Sequence, residues 1–107
     1  MASVSTHVLD ATAGRPAAGL TVTLADEGGT TLADEITDED GRIGALAPDL
    51  PVGIYRIRFD TGAWFAAQDV ETFYPEVVVA FRITDASAHH HVPILLSPFA
   101  FSTYRGS

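Results

Sequence analysis

The stretch Tyr55-Arg56-Ile57-Arg58-Phe59 decides the fold class of this chain. Three large apolar residues alternate with two arginines. A period of two places the apolar side chains on one face of a β-strand and the arginines on the other. The same alternation recurs over residues 20–25 and 77–83. The pattern therefore predicts strands that each bury one face.

Turn signals separate these segments at short intervals, as at Gly14-Arg15-Pro16, Glu27-Gly28-Gly29 and Asp40-Gly41. Many short strands with frequent turns are typical of a β-sandwich or a β-barrel. Beyond a potential cap at Asp60 or Thr61, good helix formers up to Gln68 predict one or two helical turns. The predicted strands, eight in all, lie at 4–11, 19–26, 31–37, 41–46, 53–60, 76–85, 89–97 and 99–105.

The size and composition of the chain limit the classes of function. With 107 residues, 47% of them hydrophobic, the sequence predicts one domain, 1–107, with ample material for a core. The net charge is −8 and all six basic residues are arginines, which argues against nucleic acids and anionic membranes as partners. The absence of cysteine excludes disulfides, thiolate nucleophiles and cysteine-based zinc sites. Together with the lack of a signal-peptide pattern, it favours a cytoplasmic location.

The sequence closes on Tyr104-Arg105-Gly106-Ser107, directly after an apolar run over residues 92–101. An aromatic ring, a guanidinium, a glycine and a carboxylate offer stacking, bidentate recognition and close backbone approach in one place. A final strand that simply stops would also end in this way. These four residues alone do not decide between a ligand-binding chain end and a strand end without function.

Three of the four histidines, His89, His90 and His91, are consecutive. On a strand, His89 and His91 share one face and His90 takes the other. The face of His90 continues through alternate apolar residues to Leu96, as a core-facing side would. The opposite face carries the apolar Leu95, which predicts that another subunit covers it.

Three chemistries remain open for the histidines. His89 and His91 could chelate zinc if His7 or an acid supplied a third ligand. They could be ordinary surface histidines, the interpretation favoured for His89 and His90. His7 and His91 could also be neutral imidazoles in a cleft, one of them acting as general base on water. Water is the most economical nucleophile, because the chain has no cysteine and no serine in a nucleophile-elbow motif.

Arg42 follows the Asp40-Gly41 turn at the start of a predicted strand. It could be a solvated arginine paired with Asp38 or Glu39. It could instead bind planar acceptors and stabilise developing negative charge. The sequence alone does not choose between these roles.

Five segments together resemble the 5-hydroxyisourate hydrolases, the transthyretin-related enzymes of urate breakdown. The likeness covers the whole chain in order, and its most specific part is a His-Val-Pro tripeptide combined with the closing tetrapeptide. The first half alone also resembles prealbumin-like surface domains that have no enzymatic role. The segments are Ser5-Thr6-His7-Val8-Leu9-Asp10, Gly14-Arg15-Pro16-Ala17, Asp40-Gly41-Arg42, His91-Val92-Pro93-Ile94-Leu95-Leu96-Ser97-Pro98 and Ser102-Thr103-Tyr104-Arg105-Gly106-Ser107.

The resemblance implies an all-β fold: a two-sheet antiparallel β-sandwich of eight strands, with one short α-helix between the fifth and the sixth. It also implies a homotetramer, a dimer of dimers in which the last strand pairs edge to edge with its mate. That pairing would protect the exposed edge of residues 99–104. The sites of this family lie in a channel where two dimers meet.

The resemblance further implies an activity and its residues. The catalytic residues would be His7, Arg42 and His91, and the substrate-binding residues the closing tetrapeptide Tyr104, Arg105, Gly106 and Ser107. The reaction would be hydrolysis of 5-hydroxyisourate to 2-oxo-4-hydroxy-4-carboxy-5-ureidoimidazoline, in purine degradation, by histidine-activated water attacking a ring amide carbonyl. No metal and no cofactor are implied.

Two departures from the family pattern are expected to be tolerated: His90, where members often carry an aromatic residue, and Ala100, where glycine is common. The alternative function is a non-catalytic transthyretin-like or prealbumin-like binding module. Transthyretin resembles the same scaffold but lacks the closing tetrapeptide and the site histidines. Their presence here argues against hormone transport.

Overall fold

A computed structural model describes residues 2–107 of the chain. These residues form two β-sheets and one short helix. The elements are β1 (Ala2–Asp10), β2 (Arg15–Pro16), β3 (Thr21–Asp26), β4 (Thr31–Ile36), β5 (Arg42–Leu50), β6 (Gly53–Phe59), α1 (Thr61–Ala66), β7 (Val77–Ile83), β8 (His89–Ser97) and β9 (Ala100–Thr103).

The first sheet is built around β1. Strands β5 and β2 pair with successive parts of one side of β1, β8 pairs with its other side, and β9 lies beyond β8. The second sheet has the order β4-β3-β6-β7. Every pairing is antiparallel except that of β1 with β8, which is parallel. The predicted all-β fold with two sheets and one short helix is confirmed.

The predicted strands correspond to β1 and to β3 through β9. The additional strand, β2, covers only Arg15–Pro16, where the sequence signalled a turn; its two residues pair with Leu9 and Asp10. The helix begins after Asp60, as predicted, and ends two residues before Gln68. The Asp60 carboxylate makes no capping hydrogen bond; instead it lies 3.5 Å from the guanidinium of Arg58.

The core lies between the sheets and is formed by the alternate residues that the sequence pattern indicated. Tyr55, Ile57 and Phe59 are buried, whereas Arg58 on the other face of β6 makes an ion pair with Glu76. Burial of the apolar side chains of this core, away from water, is the main stabilising contribution to the fold. The largest fully buried apolar side chains are Leu20, Val22, Leu24, Ile57, Phe59 and Ile83 on one side of the core and Val4, Val8, Ile94 and Leu96 on the other.

The interpretation of His90 as a surface histidine is wrong. Its side chain is 5% exposed, and its Nδ1 atom has no hydrogen-bond partner in the part of the chain that the structure describes. His90 shares the inner face of β8 with Val92 and Ile94, which are also buried. The alternation along the strand, rather than the usual preference of histidine for the surface, determines where this ring lies.

Within residues 2–107, no helix combines the length and the apolar character needed to cross a bilayer.

Candidate active site

The outward faces of β5, β1 and β8 bring the predicted catalytic residues onto one surface. The register pairs His7 of β1 with Arg42 of β5 on one side, and Ser5 of β1 with His91 of β8 on the other. Alternate positions of a strand face the same side of a sheet, so Ser5 and His7 are neighbours on this outer face. Thr6, which lies between them, is buried and donates its hydroxyl hydrogen bond to the Val92 carbonyl at 2.6 Å.

A glycine turn places Arg42 opposite His7. Gly41 has a φ of +73°, which favours glycine, and a Cβ atom there would lie 2.3 Å from the carbonyl oxygen of Val8. The amide of Val8 donates a hydrogen bond to the Gly41 carbonyl at 2.7 Å, which ties the turn to β1. Close backbone approach at Gly41 therefore fixes the start of β5.

The Asp38 carboxylate stabilises this turn through the backbone and does not bind the Arg42 guanidinium. Its Oδ1 accepts hydrogen bonds from the amides of Asp40 and Arg42, each at 2.9 Å. Among residues 2–107, no carboxylate lies within 4 Å of the Arg42 side chain. The expected pairing with Asp38 or Glu39 is therefore not formed, and the guanidinium is available to a ligand.

Arg42, His91 and Ser107 line one depression on the outer face, here called the outer hollow. Its volume is about 220 Å³. Its walls combine an imidazole, a guanidinium and hydroxyl groups, which suits a small ligand with many carbonyl and amide groups. The other residues that line it are Ser5, Thr6, Gly44 and His89.

Hydrogen bonds hold the ring of His91 from the side of β1. The Ser5 hydroxyl lies 2.7 Å from Nδ1 of His91 and also 2.7 Å from Nε2 of His89. The second ring nitrogen of His89 lies 2.5 Å from the Ser3 hydroxyl. No hydrogen bond within residues 2–107 engages Nε2 of His91, which leaves this atom for a ligand or a water molecule.

The pKa of His91 is lowered from its ordinary value. Burial is the main cause, because it disfavours the charged imidazolium; the positive charge of Arg42 and the neighbouring rings of His7 and His89 act in the same direction. The lowered pKa favours the uncharged form of the His91 ring. An uncharged imidazole can accept a proton, which is what a general base must do.

Gly106 packs directly against the ring of His91. Its amide donates to the His91 carbonyl at 2.8 Å, forming a bridge that extends the pairing beyond β9. A Cβ atom at residue 106 would lie 2.4 Å from Cδ2 of His91. Only glycine fits there, and this close packing brings Ser107 to the outer hollow.

The remaining predicted site residues lie beside the outer hollow. His7 does not line it directly, although it lies opposite Arg42 and acts on the charge state of His91. Tyr104 and Arg105 line a different cavity of about 290 Å³ between β7 and the β8–β9 pair, here called the edge cavity. His91 borders both spaces.

The zinc hypothesis for His89 and His91 lacks its third ligand. Across residues 2–107, no three histidine, aspartate or glutamate side chains are grouped so that they could hold a metal ion. The two ring nitrogens that face each other across Ser5 are already hydrogen-bonded to its hydroxyl. The side chains as placed therefore favour hydrogen-bond chemistry over metal binding.

Ser3 and Ser5 are not among the predicted site residues, and the sequence predicts His89 as an ordinary surface residue or a zinc ligand. His89 is exposed, but its two hydrogen bonds make it part of the support of His91. A signal was present in the alternation of β1, which places Ser3 and Ser5 on the same face as His7.

The chain folds as a two-sheet β-sandwich with one short helix, and imidazole and guanidinium groups lie together on the outer face of one sheet. This combination defines a transthyretin-like protein. The chain belongs to the HIUase/Transthyretin family, whose model matches residues 4–106.

Known proteins of two kinds are similar to this chain. The 5-hydroxyisourate hydrolase of Salmonella dublin is 46% identical over 97% of this chain and 80% of its own length. The structure of Klebsiella pneumoniae 5-hydroxyisourate hydrolase has a TM-score of 0.92 and 43% identity, covering 98% of this chain and 99% of that one. Sea bream transthyretin in complex with thyroxine has a TM-score of 0.91 and 30% identity, with 97% and 94% coverage. Fold similarity alone therefore does not separate an enzyme from a binding protein, and the site must do so.

Proposed function

We propose that this protein hydrolyses 5-hydroxyisourate. The observation that carries the proposal is the outer hollow. There His91, an imidazole with a lowered pKa, lies on the same surface as the guanidinium of Arg42, which has no carboxylate partner within residues 2–107. The names of the relatives with 43–46% identity support the same substrate. A chain without cysteine suits a reducing compartment, so we expect the reaction to take place in the cytoplasm.

In the proposed mechanism, His91 accepts a proton from a water molecule as the oxygen of that water attacks the ring amide carbonyl. The carbon–nitrogen bond then breaks, and the leaving nitrogen takes a proton from His7, which faces the same surface. The products are a new carboxyl group and an amide-derived N–H. The proton taken up by His91 returns to His7 through solvent, so both imidazoles are restored and the overall change is the addition of one water. General acid–base catalysis of this kind contributes about a hundredfold to ten-thousandfold.

Arg42 stabilises the negative charge that develops on the attacked carbonyl oxygen. A guanidinium offers several donors in a planar fork, and it is always charged at neutral pH. Donors of this kind, placed where an oxyanion forms, are worth about a hundredfold to a thousandfold in rate. No carboxylate of the described residues 2–107 pairs with Arg42, which leaves its full charge for this task.

The closing tetrapeptide shapes the site. Gly106 brings the chain against the ring of His91, and Ser107 closes one side of the outer hollow. We assign to Ser107 the binding of polar groups at the edge of the substrate. Tyr104 and Arg105 border the edge cavity and act on the opposite side of His91.

We propose that four chains assemble as a dimer of dimers. All residues of β9, an edge strand, are exposed, and the aromatic side chains of Phe99, Phe101 and Tyr104 lie open nearby. An unpaired edge with apolar side chains favours pairing with another strand. On the outer face, Leu9 and Leu95 are partly exposed side by side and suit contact with another subunit, which would also bound the outer hollow. Sedimentation equilibrium should then give the mass of four chains; a monomer at micromolar concentration would overturn the assembly.

The activity is tested by following the ultraviolet absorbance of freshly generated 5-hydroxyisourate with and without the protein. We expect the protein to accelerate the decay in proportion to its concentration, and chiral or mass analysis to show the ring-opened product. A protein that binds the compound without changing its decay rate is a binding module, and that result would contradict the proposal.

A further inference from the structure

A continuous line of hydrogen bonds leads from the protein surface to His91. It runs from the Ser3 hydroxyl to Nδ1 of His89, from Nε2 of His89 to the Ser5 hydroxyl, and from there to Nδ1 of His91, over distances of 2.5, 2.7 and 2.7 Å. Ser5 is 7% exposed, so its hydroxyl exchanges few hydrogen bonds with water and its partners are these two rings.

The Ser5 hydroxyl couples the tautomer of the His89 ring to the tautomer of the His91 ring. A hydroxyl has one proton to donate, and here it lies between two ring nitrogens. If Ser5 donates to His91, then Nδ1 of His91 is unprotonated and the proton of that ring is on Nε2. If Ser5 donates to His89, its oxygen accepts a hydrogen bond from Nδ1–H of His91, and Nε2 of His91 carries the free lone pair. Only the second arrangement leaves His91 a free lone pair, on the ring nitrogen that Ser5 does not engage.

The surroundings of the two rings favour the second arrangement. Arg42, which lines the outer hollow, carries only donors and a positive charge, so a lone pair on the open nitrogen of His91 is more favourable there than another N–H group. At the far end of the line, the Ser3 oxygen can accept a hydrogen bond from Nδ1–H of His89. Each hydrogen bond then has one donor and one acceptor.

We propose that Ser5 and His89 are positioning residues that hold His91 in the tautomer with its proton on Nδ1 and its lone pair on Nε2. Nε2 of His89 accepts the hydrogen bond that the Ser5 hydroxyl donates, so that the Ser5 oxygen faces His91 as an acceptor. For the hydrolysis of 5-hydroxyisourate, this role rests on the proposed function. The tautomer itself is a property of the protein without substrate.

The tautomer is tested first, by nitrogen-15 NMR of the imidazole rings, which distinguishes protonated from unprotonated ring nitrogens. We expect His91 to show a protonated Nδ1 and an unprotonated Nε2 at neutral pH. Ser5→Ala and His89→Ala should each shift the ring towards protonation on Nε2. The control Ser97→Ala removes a hydroxyl that donates to Ala100 in the same sheet, and it should leave the His91 signals unchanged.

A wild-type ring protonated on Nε2, or a tautomer that is the same in all of these proteins, would overturn the proposal. Because this measurement uses no substrate, it stands even if the protein does not hydrolyse 5-hydroxyisourate. A failure of the proposed function would appear only in the absorbance assay.

The kinetic test separates positioning from simple packing. Ser5→Ala and His89→Ala should lower kcat by about tenfold to a hundredfold, with a smaller change in KM, since loss of the group that orients a functional histidine has effects of this size. The side chain of His89→Gln has an amide oxygen that can accept a hydrogen bond from the Ser5 hydroxyl. This variant should recover most of the kcat that His89→Ala loses. Equal loss in His89→Gln and His89→Ala, with the fold intact, would contradict the assigned role.

Discussion

The two faces of β8 show how one strand serves two purposes. On the inner face, His90 is buried with Val92 and Ile94, and one of its ring nitrogens has no partner within residues 2–107. On the outer face, the next residue, His91, is held by Ser5 and borders the outer hollow. The identity of the residue is the same, and its position in the pleat decides what it does. We therefore place stability mainly on one face of this sheet and the proposed chemistry on the other.

The largest expected effect comes from removing charged or titratable groups on the outer face. His7→Asn and Arg42→Gln should each reduce the rate of 5-hydroxyisourate decay by about a hundredfold or more, because each removes a proton donor or the stabilisation of an oxyanion. Their melting temperatures should stay close to that of the wild type. Near wild-type rates in both variants would show that the outer face does not carry the reaction.

Substitutions on the inner face of β8 should lower the free energy of unfolding and largely keep the reaction rate. Ile94 is fully buried in β8, and Ile94→Ala should reduce the free energy of unfolding by about 2–5 kcal/mol through lost burial and a cavity. Denaturant titration measures the loss, and the rate per folded molecule should be largely kept. A variant of wild-type stability that has lost its activity would reverse the assignment of the two faces.

The turn before β5 links stability to the site. Gly41→Ala places a Cβ atom on a left-handed backbone and against the Val8 carbonyl. We expect it to lower the free energy of unfolding by about 2–4 kcal/mol. Gly14→Ala is the matched control, because Gly14 has a similar φ of +69° with nothing within 4 Å of the added Cβ, so only the backbone strain of about 1–2 kcal/mol applies. Equal losses in the two variants would show that contact with β1 does not constrain the turn.

Gly106→Ala tests the packing of the chain against the His91 ring. The added methyl group forces the ring or the chain to move, and we expect a rate about tenfold lower with little change in unfolding temperature, since residue 106 lies beyond the last strand. Gly28→Ala adds the same methyl group in an exposed turn, where it meets only an ordinary contact with Asp26, and serves as the control. A fully active Gly106→Ala protein would separate this close contact from catalysis.

The smallest expected effect concerns His90. Replacing a buried ring that has an unpartnered nitrogen by an apolar ring, in His90→Phe, should raise the free energy of unfolding by up to about 1 kcal/mol. Thermal or denaturant unfolding measures this change. A loss of several kcal/mol would show that the imidazole makes a bond that matters to the fold.

Much of the fold could be predicted because its signals are local. The alternation at 55–59 identified β6 and its buried face, and the same pattern identified β3 and β7. In β5 the burial does not alternate, and the strand continues to Leu50, four residues past its predicted end at 46. The additional strand, β2, is a pairing of two residues with Leu9 and Asp10, and nothing in its own sequence distinguishes it from a turn. For His90, the alternation gave the right face, while the general preference of histidine gave the wrong one.

The support of the site was not predictable because it depends on pairings between distant parts of the chain. Ser5 and His91 are 86 residues apart and meet only through the parallel register of β1 and β8. The contact of Gly106 with the His91 ring likewise needs the β8–β9 hairpin to fold first. The sequence indicates which residue types are present on each strand, but the register that aligns one strand with another is set by packing.

The most direct test compares two adjacent histidines. His90→Phe and His91→Phe make the same change at neighbouring positions on opposite faces of β8, and the rate of 5-hydroxyisourate decay is measured for each. We predict that His91→Phe loses about a hundredfold or more of the rate, whereas His90→Phe stays within about threefold of the wild type. Equal rates in the two variants, or a greater loss in His90→Phe, would contradict the placement of the reaction on the outer face.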